Sequence, residues 1–153
     1  MKYENLLDEA SSDGICVIEN ADFKSKAEGL INGDVIGISK RVRSFKKRAC
    51  ILAEELGHYH TTSGDIIDQS SASNWKQERR ARLWAYNRII GLRGIIDAYN
   101  HGCQSIHEAA EYLDVTEDFL LEAIECYKGK YGSYVSIDNY IISFEPVTVL
   151  ELI

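Results

Sequence analysis

Ser44-Phe45-Lys46-Lys47-Arg48-Ala49-Cys50-Ile51-Leu52-Ala53-Glu54-Glu55-Leu56-Gly57-His58-Tyr59-His60 is the stretch around which the rest of the chain organises itself. Ser44 is suited to cap a helix, because its hydroxyl can accept a hydrogen bond from a first-turn amide that has no partner within the helix. Phe45, Ala49, Leu52 and Leu56 recur at spacings of four, three and four, a stripe that predicts the core-facing side of a helix running to about His60. At about 100° per residue, Glu54, Glu55 and His58 fall roughly opposite that stripe. Periodicity alone is satisfied by a solvated polar face. The chemistry allows more: Glu54 and His58 lie four residues apart, project from one face and can grip a single metal ion. Glu55, beside them, can stay outside the coordination shell and act as general base on water, the arrangement that zinc-assisted peptide hydrolysis needs. Gly57 is the anomaly, since glycine inside a helix costs roughly 1 kcal/mol relative to alanine and is kept where a backbone or ligand comes close.

Upstream, Tyr3 to about Ala10 reads as a helix that Ser11-Ser12-Asp13-Gly14 breaks, and Ile15-Cys16-Val17-Ile18 reads as a strand. A further helix is predicted near Asp22 to Leu30. Asn32-Gly33-Asp34 is a turn, and Val35-Ile36-Gly37-Ile38 is a second strand that should pair with the first. Downstream, Thr61-Thr62-Ser63-Gly64-Asp65 ends the central helix, and the next runs from about Trp75 to Ile90 with Ala81, Trp84, Ala85, Ile89 and Leu92 on its packed side. Short helices at Ile106–Leu113 and Glu117–Tyr127 precede a hairpin of Tyr134–Ile137 and Tyr140–Phe144, with Asp138-Asn139 at its turn. The expected fold is α+β and helix-rich, with a small antiparallel sheet packed on the reactive helix. A single domain over residues 1–153 is expected, with its core at about 15–92 and the helices and hairpin of 101–153 packed on it.

The 153 residues carry a formal net charge of −7, which repels nucleic-acid phosphates and anionic membranes, so neither is expected as a partner. Basic runs at Lys40–Arg48 and Lys76–Arg82 read as solvated helix faces. Cys16, Cys50, Cys103 and Cys126 form no C-x-x-C pair and follow no leader-like segment, which predicts reduced, mostly buried thiols in a cytoplasmic protein. Ala109 to Thr116 imitates the start of a helix-turn-helix, but the helix that would read DNA carries Glu117, Asp118, Glu122 and Glu125. His101 and His107 read as loop and surface residues.

Arg48 to Tyr59 resembles the L-A-H-E-L-G-H-Y segment of ImmA/IrrE-type metallopeptidases, and Glu78-Arg79-Arg80-Ala81-Arg82-Leu83-Trp84-Ala85 resembles that family's second helix, a Glu-Ala-x-x-Phe-Ala type of pattern. The resemblance covers roughly residues 15–92 and implies a zincin-like fold, one zinc ion, and cleavage of a helix-turn-helix repressor from a phage or mobile element. It makes His58 a zinc ligand and Glu55 the catalytic base. The first histidine of H-E-x-x-H is Glu54 here; a carboxylate can bind zinc but makes it a weaker Lewis acid. The family's third ligand is a glutamate of the second helix. Arg80 stands just before Ala81, so Glu78 is the better candidate, with His60 and Asp65 as alternates. Val35 to Ile38 is, by the same resemblance, the strand expected to pair with an extended substrate. The altered ligand also admits a different class of protein: a metal-free relative that acts as an antirepressor by binding the repressor.

Overall fold

The computed structural model describes residues 1–62 and 71–153, without the side chains of 71–74. The chain divides into two compact units, Met1–Ala85 and Tyr86–Ile153. Among the described residues the architecture is α+β, as the hydrophobic periodicities predict.

The first unit opens with α1 (Lys2–Ser12), followed by β1 (Cys16–Ala21), β2 (Gly29–Asn32), β3 (Val35–Ser39) and α2 (Phe45–Thr61); α3 (Ser71–Ile89) belongs to this unit through Ala85. The three strands form one sheet in the order β1-β3-β2. β2 and β3 are an antiparallel hairpin in which Asn32 pairs with Val35, leaving the two-residue loop Gly33-Asp34. Gly33 takes φ +61°, which glycine adopts without a Cβ penalty. β1 runs parallel to β3, so the sheet is mixed, with its antiparallel pair next to α2. Ile36 and Ile38 are fully buried, as are Leu52, Ala53 and Leu56 of α2; Leu6 and Ala10 of α1 complete this core.

Several expectations are corrected here. No helix forms over Asp22 to Leu30. Arg41 donates from Nη2 to the carbonyls of Ser25 and Ala27, Ser39 N–H donates to Glu28 O, and the segment becomes the lead-in to β2. Phe45, the first residue of α2, is 59% exposed and does not join the buried stripe; its ring lies 5.9 Å from that of Tyr3. Arg48 is not solvated but buried: its Nε donates to Val42 O at 2.8 Å, Nη1 to Glu19 O at 2.7 Å and Nη2 to Asn20 Oδ1 at 3.2 Å. Of the four cysteines, only Cys50 is buried, and none is joined in a disulfide.

The second unit contains α4 (Gly91–Asn100), α5 (Ile106–Leu113), α6 (Glu117–Tyr131) and the antiparallel meander β4 (Tyr134–Ile137), β5 (Tyr140–Phe144), β6 (Val147–Glu151). The hairpin turns where the sequence places it, with Asp138 at φ +53°. β6 follows the two-residue loop Glu145-Pro146, a strand the proline conceals because it reads as a terminator. Ser105 and Thr116 cap α5 and α6 by accepting from Glu108 N–H and Phe119 N–H. Phe119, Leu120, Ala123, Ile124 and Tyr127 form the buried side of α6, while Glu117, Asp118, Glu122 and Glu125 are exposed. No described helix is long and apolar enough to cross a membrane.

Candidate metal and catalytic site

The capped start of α2 fixes which of its faces carries the chemistry. Ser44 Oγ accepts from Lys47 N–H at 3.3 Å, and the stripe of Ala49, Leu52 and Leu56 is drawn into the core, so Glu54, Glu55 and His58 point away from it. The face is nevertheless not simply solvated. Gly57 is buried, and a Cβ built there would lie 2.2 Å from the carbonyl oxygen of Ala81. The missing side chain lets α3 approach α2 at its backbone, which answers the anomaly noted in the sequence.

That crossing brings Glu78 of α3 to His58: Oε2 lies 3.1 Å from Nε2. The imidazole keeps 26% of its side-chain exposure and the carboxylate 41%. The other Glu78 oxygen meets Arg82 Nε at 3.3 Å, one turn along α3. An imidazole nitrogen and a carboxylate oxygen are ligands of the kind a zinc-type ion takes, and two ligands about 2.0–2.2 Å from one tetrahedral zinc stand roughly 3.3–3.5 Å apart, so this pair would have to open only slightly from its ion-pair distance to hold one.

Glu55 sits between α2 and the sheet. A Cβ on Gly29 of β2 would lie 2.5 Å from Ile51 Cγ2 and 3.3 Å from Glu55 Cγ and Oε1, so a glycine on that strand leaves room for Ile51 and for the carboxylate. Burial pushes its pKa up to about 7, and the negative charges of Glu54 and Glu78 push in the same direction. A carboxylate titrating there is tuned to take and return a proton near neutrality.

The other sequence-derived positions separate. Glu54 is half-buried and close enough to act electrostatically on Glu55, but the ligand atoms of Glu54, His58 and Glu78 do not all come within 4.8 Å of one another. His60 turns to α1 instead: its Nε2 lies 3.2 Å from Asp13 Oδ2, and its ring stacks on Trp84 at 4.9 Å between centroids. With Glu9 it forms the one group of three potential metal ligands at mutual distances under 4.8 Å among the described residues. Nothing in the sequence singled out Glu9, and Asp13 read only as a helix breaker. Asp65 lies outside the described residues.

The strand assignment beside the site is also corrected. β3 (Val35–Ser39) is central and paired on both sides, so its backbone groups are already used by β1 and β2. The edge strand on the Glu55 side is β2, and its Gly29 is the residue against the carboxylate. The sequence gives no such signal at Gly29, because its segment reads there as helix.

A comparison with curated proteins finds no match. A family model does match, over residues 14–125, a span that takes in the sheet, α2, the Glu78 turn of α3 and most of α6. The chain belongs to the peptidase family M78, whose model is described as the IrrE N-terminal-like domain.

Proposed function

We propose that this metallopeptidase-family chain is a zinc-dependent endopeptidase in which His58, Glu78 and Glu54 hold the ion and Glu55 is the general base. The observation that carries the reading is the convergence at one helix crossing of a His58–Glu78 pair at 3.1 Å and a carboxylate, Glu55, raised to about 7. Zinc, when bound, supplies Lewis-acid polarisation of the scissile carbonyl. The residues supply the rest. Among the described residues β2 has a neighbouring strand on one side only, so its other edge is the one proposed to receive an extended substrate and align its carbonyl over α2. Glu55 takes the proton of the attacking water and returns it to the departing amine. The low polarity that raises its pKa gives it the affinity for that proton. Arg82 holds Glu78 by its second oxygen and so limits its rotation. The substrate proposed is a protein, a helix-turn-helix repressor of a phage or mobile element, the class implied by resemblance to ImmA/IrrE proteins.

The test is metal analysis combined with one substitution. Purified protein is expected to hold about one zinc per chain, and Glu55→Gln to lower repressor cleavage by on the order of 10²–10⁴-fold with an unchanged circular dichroism spectrum. Equal cleavage by the two proteins ends the proposal. The antirepressor reading draws on Glu54 standing where a histidine ligand would be and on the wider spacing of the three ligand groups. It predicts no zinc at neutral pH and tight repressor binding unaffected by Glu55→Gln.

A further inference from the structure

The second unit contains a cavity of about 490 Å³ that the chemistry on α2 does not use. Leu113, Leu120, Ile124 and Phe144 line it, and Tyr99, Leu121 and Glu125 stand at it as well. Tyr99 is 48% and Leu121 49% exposed, so the opening presents large apolar groups to solvent. The helices α5 and α6 beside it carry one sign of charge as far as Tyr127, with Glu125 at the opening itself. From Ser105 to Tyr127 the chain carries Glu108, Glu111, Asp114, Glu117, Asp118, Glu122 and Glu125 and not one lysine or arginine. All of these but Asp114 are exposed. Asp118 and Glu125 stand three residues before and four after Leu121, and so flank it on the same face of α6.

An apolar opening of this size accepts one or two large aliphatic side chains, and the acidic field around it selects for cationic neighbours. A lone fatty chain would leave that field unused, an anionic one would be repelled, and a second copy of α5–α6 would bring like charge against like. A helix with leucine-type residues on one face and lysine or arginine flanking them satisfies both features at once. We propose that the α4–α5–α6 cavity is a docking site for a basic amphipathic helix of a partner protein, distinct from the residues of α2 and independent of metal and of Glu55.

Fluorescence anisotropy on the full chain carrying Glu55→Gln tests this without loss of the probe to cleavage. Two labelled synthetic helices of about five turns share one leucine face; one has lysines elsewhere and the other glutamates. The lysine peptide is expected to bind saturably and to weaken about tenfold between low and high salt, while the glutamate peptide does not bind. Leu121→Ser and the double reversal Asp118→Lys/Glu125→Lys, all at exposed positions, are each expected to weaken binding at least tenfold with unchanged thermal midpoints. Equal binding of the two peptides, no saturable binding of the lysine peptide, or binding indifferent to both variants overturns the proposal. Uptake of dodecanol without peptide binding overturns it in favour of a lipid-like ligand. A dimer abolished by Leu121→Ser, again without peptide binding, overturns it in favour of self-association.

Discussion

The two compact units of this protein bury different kinds of group. The first packs ionisable side chains against its core: Arg48 buried with three hydrogen-bond acceptors, Glu55 against Gly29, and a half-buried His58–Glu78 pair. The second fills its core with Phe119, Leu120, Ala123 and Ile142 and leaves the carboxylates of α6 exposed. Burying a charge is costly unless its partners are fixed, so the first unit depends on close, specific packing in a way the second does not. On the function proposed, reactivity and fragility share a cause: the burial that raises the pKa of Glu55 also makes its surroundings intolerant of change.

The sharpest break of that comparison is at Gly57. In an ordinary helix Gly→Ala is stabilising, by roughly 1 kcal/mol. Here the new methyl would sit 2.2 Å from Ala81 O, and because that atom is backbone, α2 and α3 must separate. Gly57→Ala is expected to destabilise by about 3 kcal/mol and lower the melting midpoint by roughly 10 °C. Parting the helices should also cost metal uptake, through the His58–Glu78 pair. A thermal melt showing equal or greater stability would mean that the close crossing does not exist.

A smaller effect, with a defined sign in pH, comes from Glu55. Its native pKa is raised from 4.5 to about 7, so between those values the folded state retains a proton that the unfolded state releases. Stability from this group is therefore fully present below about pH 4.5 and lost as pH rises through about 7. Glu55→Gln removes the titration. In chelator-treated protein the variant should match wild type at pH 4.5 and exceed it at pH 8 by on the order of 2 kcal/mol, allowing for residual solvent screening. Urea midpoints that stay parallel across that range would show Glu55 to be solvated.

Legibility in the sequence followed the same division. Where local signals act alone they read well: Ser44 caps α2, Ile106–Leu113 is a helix, and Asp138 turns the hairpin. The resemblance pairs His58 with Glu78, and the two stand 3.1 Å apart; the cost of Gly57 in a helix points to close approach of a backbone or ligand, and the backbone is that of Ala81. What was not legible depends on partners distant in sequence. Arg41 denies residues 25–27 a helix by claiming their carbonyls, and that converts the next residues into the edge strand beside Glu55. The burial of Arg48 requires Glu19 and Asn20 to arrive from β1. His60 is drawn to Asp13, a pairing that no periodicity in α2 foretells. Parallel pairing of β1 with β3 is of the same kind, since a crossover is set by the sheet and not by the strand.

The smallest effect is the control that gives the first its meaning. Gly129 lies in the last turns of α6, at an ordinary helical φ, and a Cβ there meets nothing within 4 Å. The only terms left are backbone entropy in the unfolded chain and helix propensity, and both favour alanine. Gly129→Ala is therefore expected to stabilise the protein, by roughly 0.5 kcal/mol, a little below the mid-helix value because helix ends fray. The same substitution thus carries opposite signs in α2 and α6, and the difference isolates the backbone contact at Ala81 from any general effect of glycine in a helix. Chemical denaturation of the two variants side by side measures it. If both move the midpoint in the same direction, the packing contrast between the units is not what sets their tolerance.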